Sequence, residues 1–113
     1  MAKETKYDVI VTIINRGFSD YVIESAQRAG ASGSTIILAR GTGIHENEEA
    51  LGIKIYPEKE IVLTIVPRET RNDIMKGICN DANLNLEGKG LCFSMPINNL
   101  LGVTHNMNIN KKK

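Results

Sequence analysis

The stretch VIVTIINR at residues 9–16 returns as IVLTIVPR at residues 61–68. Each copy sets apolar residues around a threonine, Thr12 or Thr64, and closes on an arginine two residues past the last apolar one. Short runs so rich in β-branched residues read as strands. The residues after each copy also match. Behind the first, Ser19 stands as an N-cap with Asp20 suited to the positive end of a helix. Val22, Ile23, Ala26 and Ala29 then form an apolar stripe that Gly30 stops. Behind the second, Thr70 and Asp73 have capping-box spacing, and Ile74, Met75 and Ile78 repeat the stripe. A glycine-marked turn and a further apolar strand come after each helix, at residues 35–39 and 91–95. The order β-α-β, twice over, predicts an α+β, ferredoxin-like βαββαβ sandwich, a four-stranded antiparallel sheet with two helices on one face.

That sheet has too much apolar surface for two helices. Alternate residues of a strand face opposite sides, yet both copies of the repeat are apolar on both. An uncovered patch of Val, Ile and Leu at ~25 cal/mol per Å² favours association, so the expected state is a homo-oligomer with sheets packed inward.

Composition narrows the function. The 113 residues form one domain, and a net charge of +1 gives no field that would draw nucleic acid or an anionic membrane. No apolar run is long enough to cross a bilayer and no signal sequence opens the chain, so a cytoplasmic protein without direct membrane insertion is expected. Cys79 and Cys92 lack CxxC spacing and sit in apolar stretches, as reduced thiols do. RNA-recognition modules of this fold stack bases on aromatic residues of the central strands. Here those strands carry Val, Ile, Thr and Leu, and the chain has three Tyr and two Phe.

The glycine-rich segments fit no single-chain phosphate motif. Gly41-Thr42-Gly43 follows a strand, but Ile44-His45-Glu46 does not complete GxGxxG, and GxxxxGK[ST] is absent. Gly88-Lys89-Gly90 precedes the last strand in the repeat position of Gly33-Ser34-Thr35. Such turns can present backbone N–H groups to an anion, with Lys89 and Arg40 supplying charge, or can serve only as tight turns. Residues 44–60, IHENEEALGIKIYPEKE, interrupt the repeat with an exposed, mobile, charged loop suited to meeting a partner. Within it His45, Glu46, Glu48 and Glu49 offer metal-ligand chemistry, although a solvated acidic face accounts for them without a metal. No nucleophile stands beside a base, so an enzyme is not expected.

AGASGSTIILARGTG (residues 29–43), the long loop, PEKEIVLTIVP (57–67) and GKGLCFSMP (88–96) together resemble the PII signal-transduction proteins, in a branch with a short T-loop. The resemblance spans residues 9–103, with residues 104–113 as a polar tail. It implies a homotrimer with an adenine nucleotide in each inter-subunit cleft and a T-loop, residues 44–60, that docks on a target enzyme, transporter or regulator. Carried over by position, it places the nucleotide at Gly33, Ser34 and Thr35, at Gly41, Thr42 and Gly43, at Lys59, and at Gly88, Lys89 and Gly90. The partner-binding loop would use His45, Glu46, Glu48, Glu49, Lys54 and Tyr56. The chain also departs from the family. A B-loop lysine is Leu91, two phosphate-clamping arginines are Gly102 and Thr104, a T-loop glutamine is His45, and the modified tyrosine has no counterpart. Each lost charge-assisted contact is worth ~1.5–3 kcal/mol, which weighs against ATP with 2-oxoglutarate and leaves ADP, AMP or a small anion, with no obligatory metal. Two competing readings are a trimeric metal-binding protein of the copper-tolerance type, using His45 and the loop carboxylates, and a structural interaction module with a vestigial cleft.

Overall fold

A computed structural model describes residues 5–43 and 48–102. Its elements are β1 (Tyr7–Asn15), α1 (Ser19–Arg28), β2 (Thr35–Arg40), β3 (Glu48–Ala50), β4 (Ile53–Ile55), β5 (Glu58–Pro67), α2 (Arg68–Asp81) and β6 (Gly90–Ile97). Four of the strands form an antiparallel sheet in the order β2-β5-β1-β6, the ferredoxin-like arrangement expected from the repeat. The two copies of the repeat lie side by side at its centre, with Thr12 opposite Val62 and Ile10 opposite Thr64.

Alternation divides the sheet cleanly. Ile10, Thr12 and Ile14 of β1 and Val62, Thr64 and Val66 of β5 face the helices, where Val22, Ala26, Ile74 and Ile78 meet them, all at most 1% exposed. Each repeated threonine finds a partner from an outer strand or the turn leading into it. Thr12 Oγ1 donates to Cys92 Sγ at 3.6 Å, and the Thr64 and Ser34 hydroxyls are 2.9 Å apart. Cys79 and Cys92 are free and half-buried rather than fully buried, and burial pushes the Cys92 thiol up despite the bond from Thr12. The other face carries Val9, Val11 and Ile13, Ile61, Leu63 and Ile65, Ile37, and Leu91, Phe93 and Met95. No helix covers it, and Leu91, Phe93 and Met95 are 52%, 41% and 47% exposed.

The helix ends differ from the sequence expectation. α1 begins at Ser19 itself, after Phe18, and neither helix has a side-chain N-cap from its own boundary residue. For α1 the acceptor comes from β5, where Glu60 Oε1 takes the N–H groups of Gly17 and Ser19 at 3.2 and 3.3 Å. Thr70 lies inside α2 and donates to the Pro67 carbonyl, so the capping box does not form. Ala29 is the exposed C-cap of α1 rather than part of its buried stripe.

The C-termini do repeat. Gly30 and Asn83 both adopt left-handed φ, +108° and +58°. The bonds Ala31 N to Ala26 O and Leu84 N to Cys79 O close a Schellman motif on each helix. Where the helices cross, Gly77 allows close approach, because a Cβ there would stand 3.0 Å from Ser25 Oγ.

At the other end of α2 the Asp8 carboxylate, 0% exposed, accepts from Arg68 Nε at 2.9 Å and Arg71 at 2.6 Å. Burial alone would raise this carboxyl, but the two guanidinium groups outweigh it and hold Asp8 below its ordinary value of 3.8.

Within the loop expected over residues 44–60, residues 48–60 include strand. β3 and β4 pair as a hairpin, Glu48 opposite Ile55, through Leu51 and Gly52, whose φ of +54° and +78° mark a type I′ turn. Glu58, Lys59 and Glu60 already belong to β5, because each is in ladder register with β1 or β2. His45, Glu46 and residues 104–113 lie outside the described residues.

Asp8 and Glu60 should each contribute measurably to stability. A carboxyl held below its ordinary value gives stability that is complete above about pH 4 and is lost as pH falls through its folded-state value. Asp8→Asn should therefore destabilise the protein at pH 7 and flatten the decline of the denaturation midpoint below pH 4, read by urea titration across pH 2–6. Glu60→Ala removes the acceptor at the α1 N-terminus and should cost about 0.5–2 kcal/mol in the same assay.

Candidate functional site

β1 and β2 end, and β5 and β6 begin, at the same edge of the sheet. A cleft of about 580 Å³ opens there on the uncovered face, lined by Ile13, Ala39, Arg40, Gly41, Thr42, Gly43, Lys59, Ile61, Gly88, Gly90 and Leu91. The ladder explains its floor. Ile13 stands opposite both Ile61 and Leu91, one layer below Lys59 and Ala39, so an apolar base lies under a single ammonium group. The residues after β2 form one wall and the turn before β6 the other.

Asn15 ties β5 to the wall at Gly88. Lys59 Nζ donates to Asn15 Oδ1 at 2.7 Å, and Asn15 Nδ2 donates to the Gly88 carbonyl at 3.0 Å. The ammonium is thereby held beside Asn15, one layer above the apolar floor. Gly41 N–H donates to the Pro57 carbonyl at 3.1 Å, which joins the end of β2 to the strand returning from the hairpin. Gly90 is fixed by contact. Its φ is +137°, and a Cβ would fall 2.4 Å from the Ile13 carbonyl oxygen, so only glycine lets β6 enter the sheet beside β1 here.

A smaller recess of about 360 Å³ adjoins the cleft, lined by Arg16, Leu38, Ala39, Arg40, Glu58 and Lys59. Arg16 and Glu58 form an exposed ion pair across its mouth. The Arg16 hydrogen bond, then its charge, holds the Glu58 carboxyl below the usual range, and the same bond raises Arg16.

Of the expected ligand residues, the structure brings together Gly41, Thr42, Gly43, Lys59, Gly88 and Gly90. Gly33, Ser34 and Thr35 lie at the opposite end of β2, about 20 Å away at ~3.3 Å per residue, with Ser34 engaged by Thr64. Lys89 turns from the cleft and sets its ammonium 5.9 Å from the Phe18 ring centre, beside the stacked Phe18–Tyr21 pair. Lys54 and Tyr56 are exposed, in and just after β4, and Glu48 and Glu49 belong to β3. Asn15, Ile13 and Ile61 were missed, because in sequence they are only strand residues. The sole available clue was that Asn15 ends the first repeat where Pro67 ends the second.

Among the described residues no group of three His, Cys, Asp or Glu could hold a metal ion, and no helix is long and apolar enough to cross a membrane. The family model for "Nitrogen regulatory protein P-II" matches residues 7–106. The chain belongs to the P-II family. That match covers both walls of the cleft and the whole hairpin. Among solved structures, the Arabidopsis thaliana PII protein bound to citrate superposes with a TM-score of 0.69 at 18% identity, covering 88% of this chain and 85% of that one. At that identity the likeness concerns the fold, and it confirms a P-II type sheet and helix arrangement. No curated protein is similar enough in sequence to count as a relative.

Gly90→Ala should disturb the entry of β6 into the sheet at the cleft wall. A methyl group against a backbone carbonyl at left-handed φ should cost at least about 2 kcal/mol, read as a lower melting temperature, and should displace the turn at Gly88. Gly88→Asn, at a φ of +78° with open space around it, should cost far less in the same scan.

Proposed function

We propose that this P-II family chain is a non-catalytic, cytoplasmic signal-transduction regulator that binds an adenine nucleotide and controls a partner protein through residues 44–57. The observation that carries this reading is the cleft. It sets a flat apolar floor under one fixed ammonium between two glycine turns, which suits a planar base joined to an anionic group. Its volume of about 580 Å³ lies within the range of small-ligand sites. The cleft opens on the apolar face, so a neighbouring subunit packed there would wall it in. We assign the chain a homotrimer with sheets turned inward, in which Gly33, Ser34 and Thr35 of one subunit reach the cleft of the next. That assignment accounts for their distance from the cleft within one chain.

The hairpin supplies the output. It leads through Pro57 into β5 and the cleft residue Lys59, and presents exposed Leu51, Ile53, Lys54, Ile55 and Tyr56. A ligand that reorders Gly41–Gly43 or Lys59 therefore acts on the two strands that carry the hairpin. The Arabidopsis PII protein was solved with citrate, and a compact polyanion is also a chemistry that Lys59 and Arg40 can receive. No observation among the described residues favours the copper-tolerance reading, and a filled or vestigial cleft is decided by binding.

Isothermal titration with ATP, ADP and AMP should give saturable binding of at least one, weakened about tenfold or more by Lys59→Gln. No heat with any of the three would overturn the nucleotide reading. Light scattering should give the mass of a trimer, and Phe93→Asp, which places a carboxylate on the uncovered face, should give a monomer. A wild-type monomer at micromolar concentration would overturn the assembly.

A further inference from the structure

The recess beside the cleft holds three cations against one carboxylate. It shares Ala39, Arg40 and Lys59 with the cleft, so the two cavities meet around the end of β2. Alternation places Ala39 and Lys59 on the uncovered side of the sheet and Leu38, Arg40 and Glu58 on the other. A ligand lying on the floor of Ile13 and Ile61 can therefore pass an extended group around this strand end into the recess.

The recess is built for an anion. No hydrogen bond to another described residue engages the Arg40 guanidinium, which offers a rigid fork of donors suited to phosphate. Leu38 and Ala39 form an apolar wall that lowers the local polarity and strengthens the attraction. Arg16 is spent on Glu58, but both side chains are well exposed, 60% and 47%, and such pairs contribute little. A group carrying two charges can displace a single carboxylate from Arg16.

We propose that this recess is a phosphate subsite, in which Arg40, Lys59 and Arg16 hold a phosphate or diphosphate group that takes the place of Glu58 at Arg16. The assignment adds Arg16 to the ligand residues and gives Arg40 the phosphate, and it rests on the nucleotide reading of the cleft for the source of the phosphate. It supplies cations at the β2 end of the cleft, across from Leu91. The exchange also provides a mechanical output. Glu58 is the first residue of β5, directly after Pro57, whose carbonyl ties down Gly41. When the phosphate takes Arg16, the return strand of the hairpin loses the Glu58 side-chain tether to the β1–α1 turn and keeps the backbone bond from Arg16 N–H to Glu58 O at 3.2 Å and the Glu60 contacts to Gly17 and Ser19.

Pyrophosphate titrated into the full chain tests the subsite without a base. Binding should be measurable by calorimetry, at least tenfold weaker in Arg40→Gln, intermediate in Arg40→Lys, and tighter in Glu58→Gln, where the competing carboxylate is gone. The proposal is overturned if pyrophosphate does not bind, if Arg40→Gln, shown folded by circular dichroism, binds it undiminished, or if Glu58→Gln weakens it. Should Arg40→Gln not fold, Arg40→Lys carries the test, and undiminished binding by that folded variant overturns the bidentate role of Arg40. Adenosine titrated separately reads the base-binding floor. Pyrophosphate binding with no response to adenosine keeps the subsite and overturns the adenine reading, whereas adenosine binding with no response to pyrophosphate does the reverse.

Discussion

Two helices cover one face of a four-stranded sheet, and in this chain both faces are apolar. The covered face settles the monomer. Its central strands give Ile10, Ile14, Val62 and Val66 to a core completed by one turn each of α1 and α2. The uncovered face settles where function can lie. An apolar surface that includes Ile37, Ile65, Leu91, Phe93 and Met95 is driven out of water by association. In the proposed homotrimer a cleft at the edge of that surface lies between subunits. The position of the cleft is thus a consequence of having more apolar strand than helix to cover it.

Three consecutive residues join the hairpin to the rest of the fold. Glu58 pairs with Arg16, Lys59 donates to Asn15, and Glu60 caps α1 through the N–H groups of Gly17 and Ser19. Strand alternation sends the middle side chain to the cleft side and its neighbours to the helix side. The charge pattern acid-base-acid is therefore divided between two tasks. The base serves the cleft, and the acids hold the β1–α1 connection. Asn15 extends the linkage to the turn at Gly88, so the walls of the cleft and the root of the hairpin share one hydrogen-bonded unit.

Much of the fold was legible because the repeat constrains itself. Two strands with the same pattern, each followed by the same helix stripe, leave few topologies open. The P-II family could be read from the glycine turns and the strand sequences, and residues 7–106 match its family model. The helix N-termini were not legible. Ser19 has the chemistry of a cap, but the acceptor that reaches the first turn is Glu60, 41 positions on, brought there by the β1–β5 ladder. The hairpin was hidden for another reason. Its strands have three residues each and its turn is Leu-Gly, which carries none of the usual Asn-Gly signal.

The sequence by itself determined the strands and helices of the two βαβ units, the excess of apolar strand surface and the family. It could do so because periodicity and local chemistry are written in consecutive residues. Only the tertiary structure decided that Gly41–Gly43, Lys59, Gly88 and Gly90 share one cleft, that Lys89 and Gly33–Thr35 stand apart from it within a chain, and that Arg16 and Arg40 flank it. Those facts depend on register. A shift of one residue in the pairing of β5 would send Lys59 to the helix side and Glu58 or Glu60 into the cleft, and registration across a sheet is fixed by packing between segments far apart in the chain.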